Sequence, residues 1–154
     1  MRAITQSRTL ILGLAVTFGW AAARAQHFEI SADNSIDVVI VVNKGATISE
    51  ISEAQLRDIF TGARSRLDDG THAIPVLLKG GPAHEVFLRR HVGVSPDEFR
   101  TRWRKAVFTG QGSMPKEFSS EGALVDYVAA TPGAIGYVSR VNGDAAVKVV
   151  TVGK

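Results

Sequence analysis

The sequence predicts an α/β fold, a mainly parallel sheet flanked by helices, on three observations. Asp37 is followed by Val38-Val39-Ile40-Val41-Val42, an unbroken β-branched run of the kind found in strands covered on both faces. Ser52-Glu53-Ala54-Gln55 and Ser95-Pro96-Asp97-Glu98 are capping boxes that each open a helix with an apolar face. Strand-like and helix-like segments then alternate to the end of the chain.

Taken in order, the first segment is a targeting signal. Arg2 and Arg8 precede an uncharged run from Thr9 to Ala23, and Ala23-Arg24-Ala25 has the small-x-small form of a signal-peptidase site. Residues 1–25 are therefore expected to be a cleaved signal peptide, and residues 26–36 a loose segment. Residues 37–154 form the folded domain. Cleavage takes 25 of 154 residues and leaves 129, enough for one domain with a real core.

Within the domain the first strand ends at the turn cluster Asn43-Lys44-Gly45. The Ser52 box starts a helix with Leu56, Ile59 and Phe60 on one side, stopping near Thr61-Gly62. A polar loop runs through Asp68-Asp69-Gly70. Ala73 to Leu78 is the second strand, with Pro75 placing it near an edge or making it begin late. Gly80-Gly81-Pro82 precedes a helix from about Ala83 to His91, with proline at the first helical position. The Ser95 box opens a helix whose buried stripe is Phe99, Trp103 and Val107.

Residues 109–118 read as a loop. From Ser120 a further helix presents Ala123, Leu124, Tyr127 and Val128 on one face, then breaks at Thr131-Pro132-Gly133. Two strands finish the chain, Ala134 to Ser139 and Val147 to Val152, with Asn142-Gly143 as the turn signal between them. Gly136, inside the first of these, weakens a strand unless another piece of backbone, or a ligand, comes very close to it.

Composition narrows the function. Arg2, Arg8 and Arg24 hold all three excess positive charges, so the remaining 15 basic side chains balance 15 acidic ones and a nucleic-acid partner is disfavoured. There is no cysteine, which excludes disulfides, thiolate metal sites, a cysteine nucleophile and a lipoprotein anchor. A free periplasmic protein is the expectation. His84 and His91 are seven residues apart, about 10 Å along a helix, too far to share a metal. No catalytic motif stands out, so no catalytic residue, metal or cofactor is assigned.

"VVIVVNKGATISEISEAQLRDIFTG", "AIPVLLKGGPAHEVFL" and "FTGQGSMPKEFSSEGALVDYVAATPGAIGYV" occur in this order over roughly residues 37 to 140. In series they resemble the phosphate-binding periplasmic protein of bacterial phosphate ABC transporters, within the type II periplasmic binding protein superfamily. The resemblance implies one α/β lobe of a fold that normally has two lobes with an anion in the cleft between them. It also implies that Gly136 lies on a strand returning to the lobe connection.

Lys79-Gly80-Gly81-Pro82-Ala83-His84 is the first candidate for ligand contact, because a strand running through glycines into a helix start presents amides and a positive dipole to an oxyanion. A plain helix start capped by water is the other reading. The resemblance places a phosphate-binding Ser-Gly-Thr here. In this sequence Gly81, Pro82 and Ala83 stand at those positions, and Leu77 replaces an anion-pairing arginine. Lys79 and His84 are the local cations.

Gly110-Gln111-Gly112-Ser113 is a second candidate, as an anion nest or a plain surface loop. Arg100 and Arg104, four residues apart beside Trp103, are either a solvated face or a docking patch for an acidic partner.

Two functions follow. One is a periplasmic solute-binding module for phosphate or a similar small oxyanion, serving an inner-membrane ABC importer. The other is a partner-binding or sensory module that docks onto a membrane protein or forms a homodimer.

Overall fold

The β-branched run Val38 to Val42 and the glycine-bearing strand from Ala134 lie side by side in one sheet. The structure, a computed structural model, describes residues 36–141 and 146–154. Its strands are β1 (Val39–Asn43), β2 (Glu50–Ser52), β3 (Ile74–Leu78), β4 (Lys116–Phe118), β5 (Ala134–Val138) and β6 (Val147–Gly153). Its helices are α1 (Glu53–Thr61), α2 (Pro82–Phe87), α3 (Pro96–Phe108) and α4 (Glu121–Ala130). The strand order is β2-β6-β1-β5-β3-β4. The β2–β6, β3–β4 and β3–β5 pairs are parallel, and β1 runs antiparallel to both β5 and β6.

β5 is buried at every residue, and its two faces hold different helices. Gly136 faces α4: a Cβ there would lie 2.8 Å from Leu124 Cδ2 and 2.9 Å from Val76 Cγ2. A strand glycine that would otherwise weaken β5 thus lets α4 settle onto the sheet. Tyr137, the next residue, points the other way. Its ring stacks on Phe87 at 3.8 Å between centroids, and Phe87 meets Phe60 of α1 edge-on at 4.7 Å. α1 and α2 therefore cover the face opposite α4, giving three layers.

Local signals set the helix ends. Ser52 and Ser95 form the expected capping boxes, and Ser120 accepts from Ala123 N–H. Asn43, at the end of β1, donates to the Val128 and Ala129 carbonyls at 3.0 and 2.7 Å, closing the last turn of α4. Gly133 then takes φ +81, and a side chain there would strike the His72 carbonyl oxygen. Pro75 has no N–H to give. Ile74 N–H bonds to Gly133 on the β5 side, so Pro75 nitrogen points to the other side, upstream of the β4 pairing that begins at Val76.

Several expectations are corrected. The helix from Ala83 does not stay regular to His91: after Phe87 it widens into a π-helical turn over Leu88–Val92, ended by Gly93. Residues 109–118 are not all loop, since Lys116–Phe118 adds an edge strand to β3. Val107 leaves the buried stripe of α3 and is 47% exposed, because the end of α3 runs past the core; Phe108 is 92% exposed. Ala123 is exposed too, so α4 buries Leu124 and Val128 with Tyr127 at the margin. The last two strands are not neighbours, for β1 lies between them. Asn142-Gly143 falls outside the described residues.

Replacing Gly136 by alanine should cost about 1 to 3 kcal/mol through overpacking against Leu124 and Val76. Urea unfolding should show a lower midpoint with an unchanged slope. The Gly136→Ala, Leu124→Ala double variant should lose less than the sum of the single changes, because the second removes what the first strikes.

Candidate functional site

β3 and β5 are adjacent and parallel, so their carboxyl ends open on the same edge of the sheet, where ligands of open α/β folds characteristically sit. A cavity of about 520 Å³ lies there. Pro82 and Ala83 of α2, Glu121 of α4, Ser139 and Arg140 after β5, and Ile36 and Asp37 before β1 form its wall.

The α2 start differs from the other three. Gly81 occupies the cap position at φ +95 and no side chain caps the helix, whereas serines cap α1, α3 and α4. Among the described residues the Ala83 and His84 amides make no hydrogen bond, leaving donors free at the positive end of the helix. Arg140 makes no ion pair among the described residues. The carboxylates here are already engaged. Glu121 accepts from Ser139 N–H at 3.1 Å and from Ser139 Oγ at 2.9 Å, and Asp37 faces Arg90 at 3.5 Å.

Of the residues singled out in sequence, Ala83 reaches the cavity wall. Lys79, Gly80 and Gly81 are exposed beside it, and Lys79 N–H is spent on the Phe118 carbonyl. His84 is turned inward. Leu78 N–H donates to the Tyr137 hydroxyl at 3.1 Å, so the phenolic proton is left for His84 Nδ1, 2.5 Å away. Burial first, then the nearby Arg100, hold His84 below the usual histidine range against the opposing pull of Glu85. The same burial pushes the Tyr137 hydroxyl up, so both partners stay neutral. His84 is consequently a core hydrogen-bond acceptor and not a local cation.

Gly110-Gln111-Gly112-Ser113 does not join this cavity. Gln111, Gly112 and Ser113 line a separate one with Ile74 and Pro75, at the amino end of β3. The two glycine segments thus sit at opposite ends of a five-residue strand, roughly 16 Å apart. Arg100 and Arg104 are exposed on α3 and line neither cavity. Sequence reasoning missed Asp37, Glu121, Ser139 and Arg140. The available signal was the rule that sites gather at strand carboxyl ends, applied to the residues directly after Val138.

Among the described residues no group of three His, Asp or Glu side chains is placed to hold a metal ion. No described helix is long and apolar enough to cross a membrane.

The buried histidines fix the sign of the pH dependence. His91 is also held below the usual range, by burial and then by Arg90, against Glu53. The unfolded chain protonates both near pH 6.5 while the folded chain resists, so stability is complete above about 6.5 and falls as the pH drops below it. The urea midpoint should be lower at pH 5 than at pH 7.5. His91 Nδ1 is buried without a partner among the described residues, so His91→Leu should flatten part of this dependence at little cost. Tyr137→Phe should cost about 1 to 3 kcal/mol, since it strands both Leu78 N–H and His84 Nδ1.

No family model matches the sequence, and no curated protein matches it. Solved structures do. A substrate-binding protein from Clostridium perfringens, assigned to a phosphate ABC transporter and holding bound phosphate, superposes with a TM-score of 0.57 at 20% identity, covering 75% of this chain and 44% of its own. An ABC-type phosphate transport receptor from Vibrio cholerae gives 0.55 at 16%, covering 75% and 45%. PstS from Borrelia burgdorferi gives 0.53 at 14%, covering 76% and 47%. The chain spans less than half the length of each. It has, in one lobe, the α/β fold of the phosphate transporters' substrate-binding proteins.

Proposed function

We propose that this chain is a periplasmic solute-binding lobe that takes phosphate or a similar small oxyanion at the mouth formed by the carboxyl ends of β3 and β5, in the service of an inner-membrane ABC importer. The observation that carries this is the uncapped α2 start opening on a cavity lined by Arg140, which makes no ion pair among the described residues. The amides of Ala83 and His84 supply donors, and Lys79 adds charge at the rim. The leader-like residues 1–25 support export, and the fold shared with phosphate-binding proteins supports the ligand class and the transporter.

The affinity of the lobe alone is weak. Each hydrogen bond to a charged group contributes about 1.5 to 3 kcal/mol, and Gly81, Pro82 and Ala83 offer no hydroxyl. Glu121 and Asp37 in the same wall oppose an anion.

A second reading has its own observation. At the end of α3, Phe108 and Val107 are exposed beside Arg100 and Arg104, an aromatic anchor with arginines of the composition that dominates protein interfaces. It suits a partner-binding or sensory module that docks on an acidic protein surface, or a homodimer.

Calorimetry of residues 26–154 against phosphate, sulfate and molybdate separates the two. The expected result is phosphate binding with a dissociation constant of about 1 mM. It should weaken about tenfold in Arg140→Ala and strengthen in Glu121→Gln. No heat from any of the three anions, with a cooperative unfolding transition intact, removes the oxyanion reading and leaves docking through α3.

A further inference from the structure

We infer that the outer face at the end of α3 docks on an anionic lipid surface, with Phe108 set among the headgroups; this is independent of what the mouth binds. Phe108 is 92% exposed and Val107 47% exposed, apolar side chains that no described element covers. The helix end that carries them is closed. Thr109 N–H donates to the Lys105 carbonyl at 3.0 Å, Gly110 N–H to that of Val107 at 3.1 Å and Gln111 N–H to that of Ala106 at 2.9 Å, so the phenyl ring projects from ordered backbone.

The charge around the ring has one sign. The stretch from Phe99 to Pro115 holds four cations, Arg100, Arg102, Arg104 and Lys105, and no carboxylate, while the rest of residues 26–154 has eleven basic side chains against fifteen acidic ones. All four cations are exposed. Arg104 and Lys105 precede Phe108 by one helical turn and Arg100 stands one turn further back, so three of the four share the side on which the ring emerges. Side chains on a helix lean towards its amino end, which lays the ring over the Arg104–Lys105 turn. The two carboxylates of α3 are in its first turn: Glu98 is spent on the Ser95 cap, and Asp97 reaches Arg100 only at 4.0 Å.

Area and charge choose the occupant. A stable protein interface takes about 800 Å² from each partner, of which one phenyl ring and half a valine on a convex helix supply a small part. A second copy would bring Arg104 and Lys105 against their own kind. A lipid surface asks for neither matched shape nor large area, because basic side chains gather at its phosphates while an aromatic side chain enters by about 5 to 10 Å.

The described fold lies within residues 26–154, and that chain lacks the apolar run from Thr9 to Ala23, so lipid binding by it is not the work of that run. It should co-sediment saturably with vesicles of phosphatidylglycerol and phosphatidylcholine and stay in solution with phosphatidylcholine alone. Salt at about 1 M, where the Debye length is about 3 Å, should release it. Phe108→Ala should weaken binding about tenfold, and Arg104→Gln about fivefold. Both should keep the native urea midpoint, since both side chains are exposed. Arg140→Ala should bind like the native chain, and the indole introduced by Phe108→Trp should shift its emission to the blue on phosphatidylglycerol. No sedimentation with phosphatidylglycerol, equal binding to both kinds of vesicle, or binding that Phe108→Ala leaves intact overturns the inference. A loss in Arg140→Ala as large as in Arg104→Gln overturns its placement on α3. Binding to polyglutamate without a blue shift on vesicles overturns it in favour of an acidic protein, and a lipid-free dimer abolished by Phe108→Ala in favour of a second copy.

Discussion

β5 has no exposed residue, and its alternation decides what packs on each face of the sheet. One face is emptied by Gly136 so that Leu124 can enter, and the other is filled by Tyr137, whose ring and hydroxyl are both used. The phenol is the more constraining of the two. Its oxygen takes the Leu78 amide at the end of β3 and gives its proton to His84 on α2, so a single buried hydroxyl ties the last residue of one strand to the helix that follows it. The turn between them, Lys79 to Gly81, is thereby held at both ends, and it is this turn that exposes the α2 amides to the mouth. A polar network at this depth is worth its desolvation only when every member is satisfied, and here each of the three groups has a partner.

The sheet also explains why the mouth lies where it does. β1 runs antiparallel to β5 while β3 runs parallel to it, so the start of β1 and the ends of β3 and β5 meet at one edge. Ile36 and Asp37 on one side and Ser139 and Arg140 on the other are consequently the points at which the chain enters and leaves the central strands. A site built there is exposed to whatever lies across the edge and has no wall of its own on that side.

Long and strongly patterned segments were legible in the sequence: the β-branched run of β1, the capping boxes of α1 and α3, and the Pro-Gly stop after α4 each state their structure locally. β2 and β4 were not, because three residues contain no period to read and exist as strands only through β6 and β3. Val107 obeys the helical spacing of Phe99 and Trp103 but stands where the core has ended, a fact of length and not of pattern. For the site the limit was tertiary. Gly80-Gly81 was visible as a strand-to-helix turn, yet Glu121, Ser139 and Arg140 acquire a role only when α4 and β5 are brought to the same edge. His84 looked like a cation because nothing local reveals that it is buried, with its ring against a tyrosine 53 residues away.

Openness of the mouth bears on both signs of charge at once. Two unit charges 4 Å apart interact by about 1 kcal/mol in water and about 4 kcal/mol at the effective dielectric of a protein surface. Covering the mouth would raise the attraction between an oxyanion and Arg140 by such a factor, and would raise the repulsion from Glu121 and Asp37 by a similar one. Glu121 is pinned by two hydrogen bonds from Ser139 and cannot swing aside, so burial alone does not turn this edge into a strong anion site. Hydroxyls or guanidinium groups are what the segment from Gly81 to Ala83 lacks. Tight retention of an oxyanion therefore requires the covering surface itself to bring donors, which makes the chemistry of that surface, and not its area, the determinant of affinity.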